Sequence, residues 1–69
     1  MVLSARNQLV GTVKSIKLGT VMAEVVVQLE GGQEIVSAIT ATSVRNLNLK
    51  EGSRVIAVVK ATEVMLGTE

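Results

Sequence analysis

Residues 21–39 read "VMAEVVVQLEGGQEIVSAI", two alternating runs separated by a glycine pair. Val21, Ala23, Val25, Val27 and Leu29 recur at every second position, with Met22, Glu24, Val26 and Gln28 between them. A period of two belongs to a pleated strand, whose successive side chains point to opposite faces. Gly31 and Gly32 then interrupt the run, and glycine accepts the positive φ that a tight hairpin turn requires. Beyond the turn, "EIVSAI" (34–39) resumes the alternation, with Ile35, Ser37 and Ile39 on one face against Val36 and Ala38. The stretch predicts two strands joined by a hairpin.

Outward from this hairpin the same logic extends in both directions. Toward the N-terminus, "QLVGTVKSIKL" (8–18) alternates on Leu9, Gly11 and Val13, then changes parity to Ile16 and Leu18. A parity change within one strand predicts a bulge near Lys14 and Ser15. Toward the C-terminus, "TATSVRNLNL" (40–49) offers Thr40 as an N-cap, with Val44 and Leu47 spaced along one helical face. It predicts a short helix over Ala41–Asn46. "KEGS" reads as a turn, "RVIAVVK" (54–60) as a strand apolar on both faces, and "EVMLG" (63–67) as a short last strand. The expected fold class is all-β. It is a small five-stranded OB-like Greek-key barrel with one short helix between strands 3 and 4, a single domain over residues 1–69. Strands apolar on both faces are unusual in a lone antiparallel sheet. The second faces are therefore expected to meet another subunit, or to be covered by strand exchange within a dimer.

Composition leads to the same expectation by another route. A chain of 69 residues buries only about 60% of the surface its unfolded form exposes, and needs reinforcement. Disulfides and thiolate metal sites are excluded by the absence of cysteine, and histidine and aspartate are absent too. Oligomerisation remains. Apolar residues make up 48% of the chain without one Phe, Tyr or Trp, so an aliphatic core leaves much apolar surface for partners. The net charge of +1 and the lack of aromatic stacking platforms argue against nucleic-acid binding. No stretch approaches the ~18 apolar residues of a membrane span, and no signal-peptide pattern opens the chain. The expected location is cytoplasmic, with no membrane partner.

The chemistry open to such a chain is narrow. Without His, Cys or Asp, the common triads and metal-hydroxide mechanisms are missing, and no phosphate-binding glycine motif occurs. A Ser–Lys dyad, Ser4 or Ser43 with Lys60, is formally available, but a strand-end lysine is ordinarily a solvated cation. No enzyme activity is expected. Ser4, Arg6, Thr40, Ser43 and Lys60 are instead all hydrogen-bond donors, two of them cationic, and a tetrahedral dianion asks for such donors. Each also has a local reading: Thr40 and Ser43 as caps of their own helix, Arg6 and Lys60 as solvated charges.

"SARNQLVGTV" (4–13), "ITATSVRNLNLKEG" (39–52) and "VVKATEVML" (58–66) resemble the molbindins, the Mop-type molybdate- and tungstate-binding proteins. The same TOBE-like domain occurs in molybdate-responsive regulators and molybdate-transporter ATPases. The resemblance covers Ser4 to Leu66, and the order of "SARNQ", "ITxxS" and "KA" is its most specific part. It implies an OB-like barrel in strand-exchanged dimers, three of which form a homohexamer. It also implies that molybdate or tungstate, the ligand in place of any cofactor, sits at subunit interfaces. Ser4, Arg6 and Lys60 would come from one subunit, with the backbone N–H groups of Ala5 and Arg6, and Thr40 and Ser43 from its neighbour. Further sites on the threefold axis would fall around Gly19 to Met22, where many members carry a polar residue in place of Met22.

The expected function is thus oxyanion binding for intracellular storage and homeostasis, with metal entering only as the oxyanion. The alternative is an oxyanion-sensing regulatory or assembly module acting with a molybdate transporter or transcription factor. The sequence shows no DNA-binding or ATPase segment beside the domain, which favours storage.

Overall fold

The computed structural model describes residues 1–69. Four strands and one helix follow in order: β1 (Asn7–Leu18), β2 (Met22–Leu29), β3 (Glu34–Thr40), α1 (Ala41–Asn46) and β4 (Arg54–Val59). They form one antiparallel sheet in the order β3-β2-β1-β4. The hairpin read at residues 21–39 is present as β2 and β3, in a register that sets Val26 opposite Val36. Gly32 turns the corner at φ 91°, a conformation that costs a β-branched residue dearly.

β1 organises the molecule because it serves two neighbours. Its first half pairs with β4, from Asn7↔Val59 to Thr12↔Arg54, and its second half with β2, from Gly11↔Leu29 to Leu18↔Ala23. The register shifts between Val13 and Ser15, leaving Lys14 unpaired, where the parity change predicted a bulge. The bulge increases local twist and curls the sheet. Gly11 lies where both ladders overlap. A Cβ there would stand 2.6 Å from Val27 Cγ1 and 2.7 Å from the Gln28 carbonyl oxygen, so only glycine lets β1 approach β2 this closely.

The concave face holds a small aliphatic core of Val13, Ala23, Val25, Val27 and Val44, flanked by Ile16, Leu29, Ile35, Ile39, Leu49 and Val55. α1 closes one end of it with Ala41 and Val44. Thr40 caps α1 as expected, its Oγ1 accepting the Ser43 N–H at 3.0 Å. The second helical position expected to pack, Leu47, is instead 65% exposed. α1 ends at Asn46, and Asn48 takes a left-handed conformation (φ 54°), so Leu49 packs against the core instead.

One expected element is not formed within this chain. Ala61–Glu63 makes a 3₁₀ turn, held by the Glu63 N–H on the Lys60 carbonyl, and Val64 to Leu66 then run outside every ladder. Val64 is extended (φ −85°, ψ 118°), but a strand exists only against an edge, and no edge of this chain lies beside it. The sheet therefore has four strands, with β3 and β4 both as edges and no closure into a barrel. Between those edges lies an open groove of about 720 Å³, lined by Ser37 and Ile39 on one side and Val55 and Ala57 on the other.

The single chain exposes 5581 Å², roughly a third more than the ~4,100 Å² expected of a compact protein of 7.2 kDa. Much of the excess is apolar: Val36, Ile56 and Val58 on the outer faces of the edge strands, and Val64, Met65 and Leu66 beyond them. No helix is long and apolar enough to cross a membrane.

Candidate functional site

The expected donors fall into two groups, and the pairing registers decide which belong together. The β1–β4 ladder ends at Asn7↔Val59, so Arg6 and Lys60 both flank that end, each one residue beyond the last pair. Both side chains are exposed, and neither joins the chain's ion pairs, which are Lys14–Glu34 and Arg54–Glu30 (3.9 Å). Each charge-assisted hydrogen bond that such a cation makes to an anion contributes about 1.5–3 kcal/mol.

Ser4 and Ala5 lead into this cationic pair. Ser4 lies at a bend and makes no hydrogen bond within the chain, so its hydroxyl is available to a ligand. Ala5 is half-buried, and its carbonyl accepts a hydrogen bond from the Gln8 side-chain amide at 2.7 Å.

Thr40 and Ser43 form the second, neutral group at the start of α1. Besides the capping bond, Thr40 Oγ1 and Ser43 Oγ lie 2.8 Å apart in a hydroxyl–hydroxyl hydrogen bond. Two hydroxyls carry two hydrogens, and this bond uses one of them, so one remains to point outward. The Ala41 N–H is already spent on the Val21 carbonyl at 2.7 Å, which anchors the helix start to β2. The local capping role of Thr40 and Ser43 is therefore real, and one donor survives it.

The structure sets Arg6 and Lys60 at the same end of the β1–β4 ladder and bonds Thr40 to Ser43, but it does not bring the two groups together. Thr40 pairs with Met22, beside the Leu18↔Ala23 end of β1, whereas Arg6 adjoins Asn7 at the other end of that 12-residue strand. No hydrogen bond or ion pair connects them. Around Gly19 to Met22, the Gly19 N–H donates to the Met22 carbonyl at 2.8 Å and is not free for a ligand, and the Met22 side chain is half exposed.

Chemically, both groups donate and neither offers a carboxylate. No three acidic or histidine side chains gather anywhere to hold a bare cation. Donors without acidic side chains among them suit an oxyanion more than a bare cation. Sequence reasoning missed one participant, Gln8, which ties down the Ala5 carbonyl. Its only sequence signal is an amide side chain three residues beyond that carbonyl, at the start of a strand.

The chain matches the TOBE domain family over residues 3–66. It is 52% identical over 66 residues to molybdenum-pterin-binding protein 2 of Clostridium pasteurianum, covering 96% of this chain and 97% of that protein. It superposes on the cytoplasmic molybdate-binding protein ModG, in a form with molybdate bound, with a TM-score of 0.95 and 51% identity. That match covers 100% of this chain and 49% of ModG. The molybdenum transport protein ModE of Herbaspirillum seropedicae shares 42% identity over 66 residues, covering 96% of this chain and 24% of ModE.

Proposed function

This chain belongs to the TOBE-domain family as a Mop-type molbindin, and from that membership we propose that it binds molybdate or tungstate for storage and homeostasis, without catalysis. The observation that carries the reading is that Arg6 and Lys60 flank one end of the β1–β4 ladder and neither joins an ion pair. ModG, a similar fold at half identity, holds molybdate, and a tetrahedral dianion is the ligand that such donors neutralise. The relatives called molybdenum-pterin-binding proteins raise a pterin as well. This chain has no aromatic side chain on which to stack a pterin ring, so the oxyanion is the better fit.

The site is proposed to be split between copies. Ser4, Arg6, Lys60 and the N–H groups of Ala5 and Arg6 come from one subunit, and Thr40 and Ser43 from the next. Their location at opposite ends of β1 supports this, because one chain leaves each half facing no partner. The excess exposed surface supports an oligomer, proposed to be a hexamer of three strand-exchanged dimers. In it, Val64 to Leu66 add to an edge that the single chain leaves open, giving each barrel its fifth strand. The working compartment is proposed to be the cytoplasm, as for ModG.

Equilibrium dialysis or calorimetry of the purified oligomer against molybdate, tungstate and sulfate tests the reading. Uptake of molybdate or tungstate is expected, and a folded oligomer that takes up neither overturns it. The match to ModE favours a second reading, in which the same domain senses the anion for a regulator. Co-purification of this chain with a DNA-binding protein in a molybdate-dependent manner would favour sensing over storage.

A further inference from the structure

We infer that Gln8 is a positioning residue for the oxyanion site, acting through the Ala5–Arg6 peptide bond rather than by touching the ligand. The inference rests on the proposed oxyanion function and assigns a role to a side chain outside the donor set. Its basis is one contact: the Gln8 Nε2 amide donates to the Ala5 carbonyl oxygen at 2.7 Å.

The consequence follows from peptide geometry. A trans peptide is planar, with its C=O and N–H pointing in opposite directions, and this chain has no cis peptide bond. The Ala5 carbonyl and the Arg6 N–H belong to the same plane. Fixing the carbonyl toward Gln8 therefore fixes the Arg6 N–H on the opposite side. A rotation of that plane, open to a segment outside any ladder, is removed by one side-chain bond.

Gln8 is well placed to act as the fixed end. It lies in β1 and pairs with Val58 of β4, so its backbone is held by the ladder. Ser4, Ala5 and Arg6 precede the ladder and have no such support. No other side-chain hydrogen bond reaches residues 1–7, so the orientation of this donor segment depends on Gln8. The bond also acts electronically: a carbonyl that accepts a hydrogen bond polarises its peptide and makes the attached N–H a stronger donor. Direction and donor strength both favour an anion facing Arg6.

The test compares Gln8→Met, similar in length but unable to donate, with Gln28→Met, an exposed β2 glutamine that makes no side-chain hydrogen bond. Molybdate affinity is measured by calorimetry on the intact oligomer, with thermal midpoint and oligomer mass recorded without ligand. The amide resonance of Arg6 is followed by NMR as molybdate is added. Gln8→Met is expected to weaken molybdate binding about tenfold, to diminish the molybdate-induced shift of the Arg6 amide, and to leave midpoint and mass unchanged. Gln28→Met should change none of these. Gln8→Met binding within twofold of the unaltered protein overturns the positioning role while leaving the oxyanion function standing. A loss of affinity matched by loss of assembly or midpoint also overturns it, because the residue would then be merely structural. Failure of the unaltered protein to bind molybdate defeats the functional reading itself, and this inference with it.

Discussion

The two donor groups of this chain are built on opposite principles. Thr40 and Ser43 are neutral and bonded to each other, and their helix is pinned to the body of the protein through Ala41 and the buried Val44. Arg6 and Lys60 are charged, exposed and without partners, at the frayed end of the β1–β4 ladder. One group is neutral and tied to the body of the protein at several points; the other is charged, and the only side-chain bond that ties it is that of Gln8 to the Ala5 carbonyl. Rigidity without charge gives geometry but little affinity, and charge without geometry binds any anion through a screened field. Selective capture needs both, which is the physical ground for the proposal that one copy's charged group faces another copy's hydroxyl group.

Mutations should separate the two principles. The largest effect is expected from Arg6→Ala combined with Lys60→Ala, which removes the charge and leaves the fold. Each substitution should weaken molybdate binding at least tenfold, and the pair should lower it by more than about a hundredfold, with unchanged circular dichroism. Unaltered affinity in either single variant, read by calorimetry, would remove that residue from the site. Thr40→Val attacks the rigid half and should cost about 1 kcal/mol of stability through the lost cap, visible as a lower thermal midpoint, together with weaker binding. A fall in affinity alone would mean that the cap contributes nothing to order. The mildest change is Ser43→Ala, which spares the Ser43 N–H bond to Thr40 and removes only a hydroxyl. Stability should stay within about 0.5 kcal/mol while affinity drops severalfold, a dissociation of the two readouts that Thr40→Val cannot give.

Much of this architecture was legible in the residues themselves. The bulge at Lys14 follows from a parity change between Val13 and Ile16, because burial on one face enforces a strict period of two. The six residues of α1 follow from the Thr40 cap and the apolar Val44. Leu47 misled, since helical spacing says nothing about where a left-handed Asn48 ends the helix. The last expected strand is unpaired in the single chain for a deeper reason. Val64 to Leu66 have strand-forming composition, but pairing is a property of two segments, and the second is not within reach in this chain. The donor residues, and their division into two groups, could be named from type and resemblance. The separation of the groups along β1 depends on register, through the pairing of Asn7 with Val59 and of Met22 with Thr40. Gln8 escaped because a local side-chain-to-carbonyl bond leaves almost no mark on composition.

Under the split site proposed above, the placement of the two groups at opposite ends of β1 sets a stoichiometry. Every copy carries one half of each kind, so any closed assembly that matches all its halves holds as many of these split sites as it has chains, whatever its symmetry. Occupancy and assembly are then thermodynamically linked. An anion that bridges two copies binds the joined state and not the separated one, so it tightens the ring as it fills, by mass action. In the proposed assembly, loss of molybdate loosens the contact between copies. Dilution of the ligand-free and loaded protein to the same concentration should show this as a difference in mass.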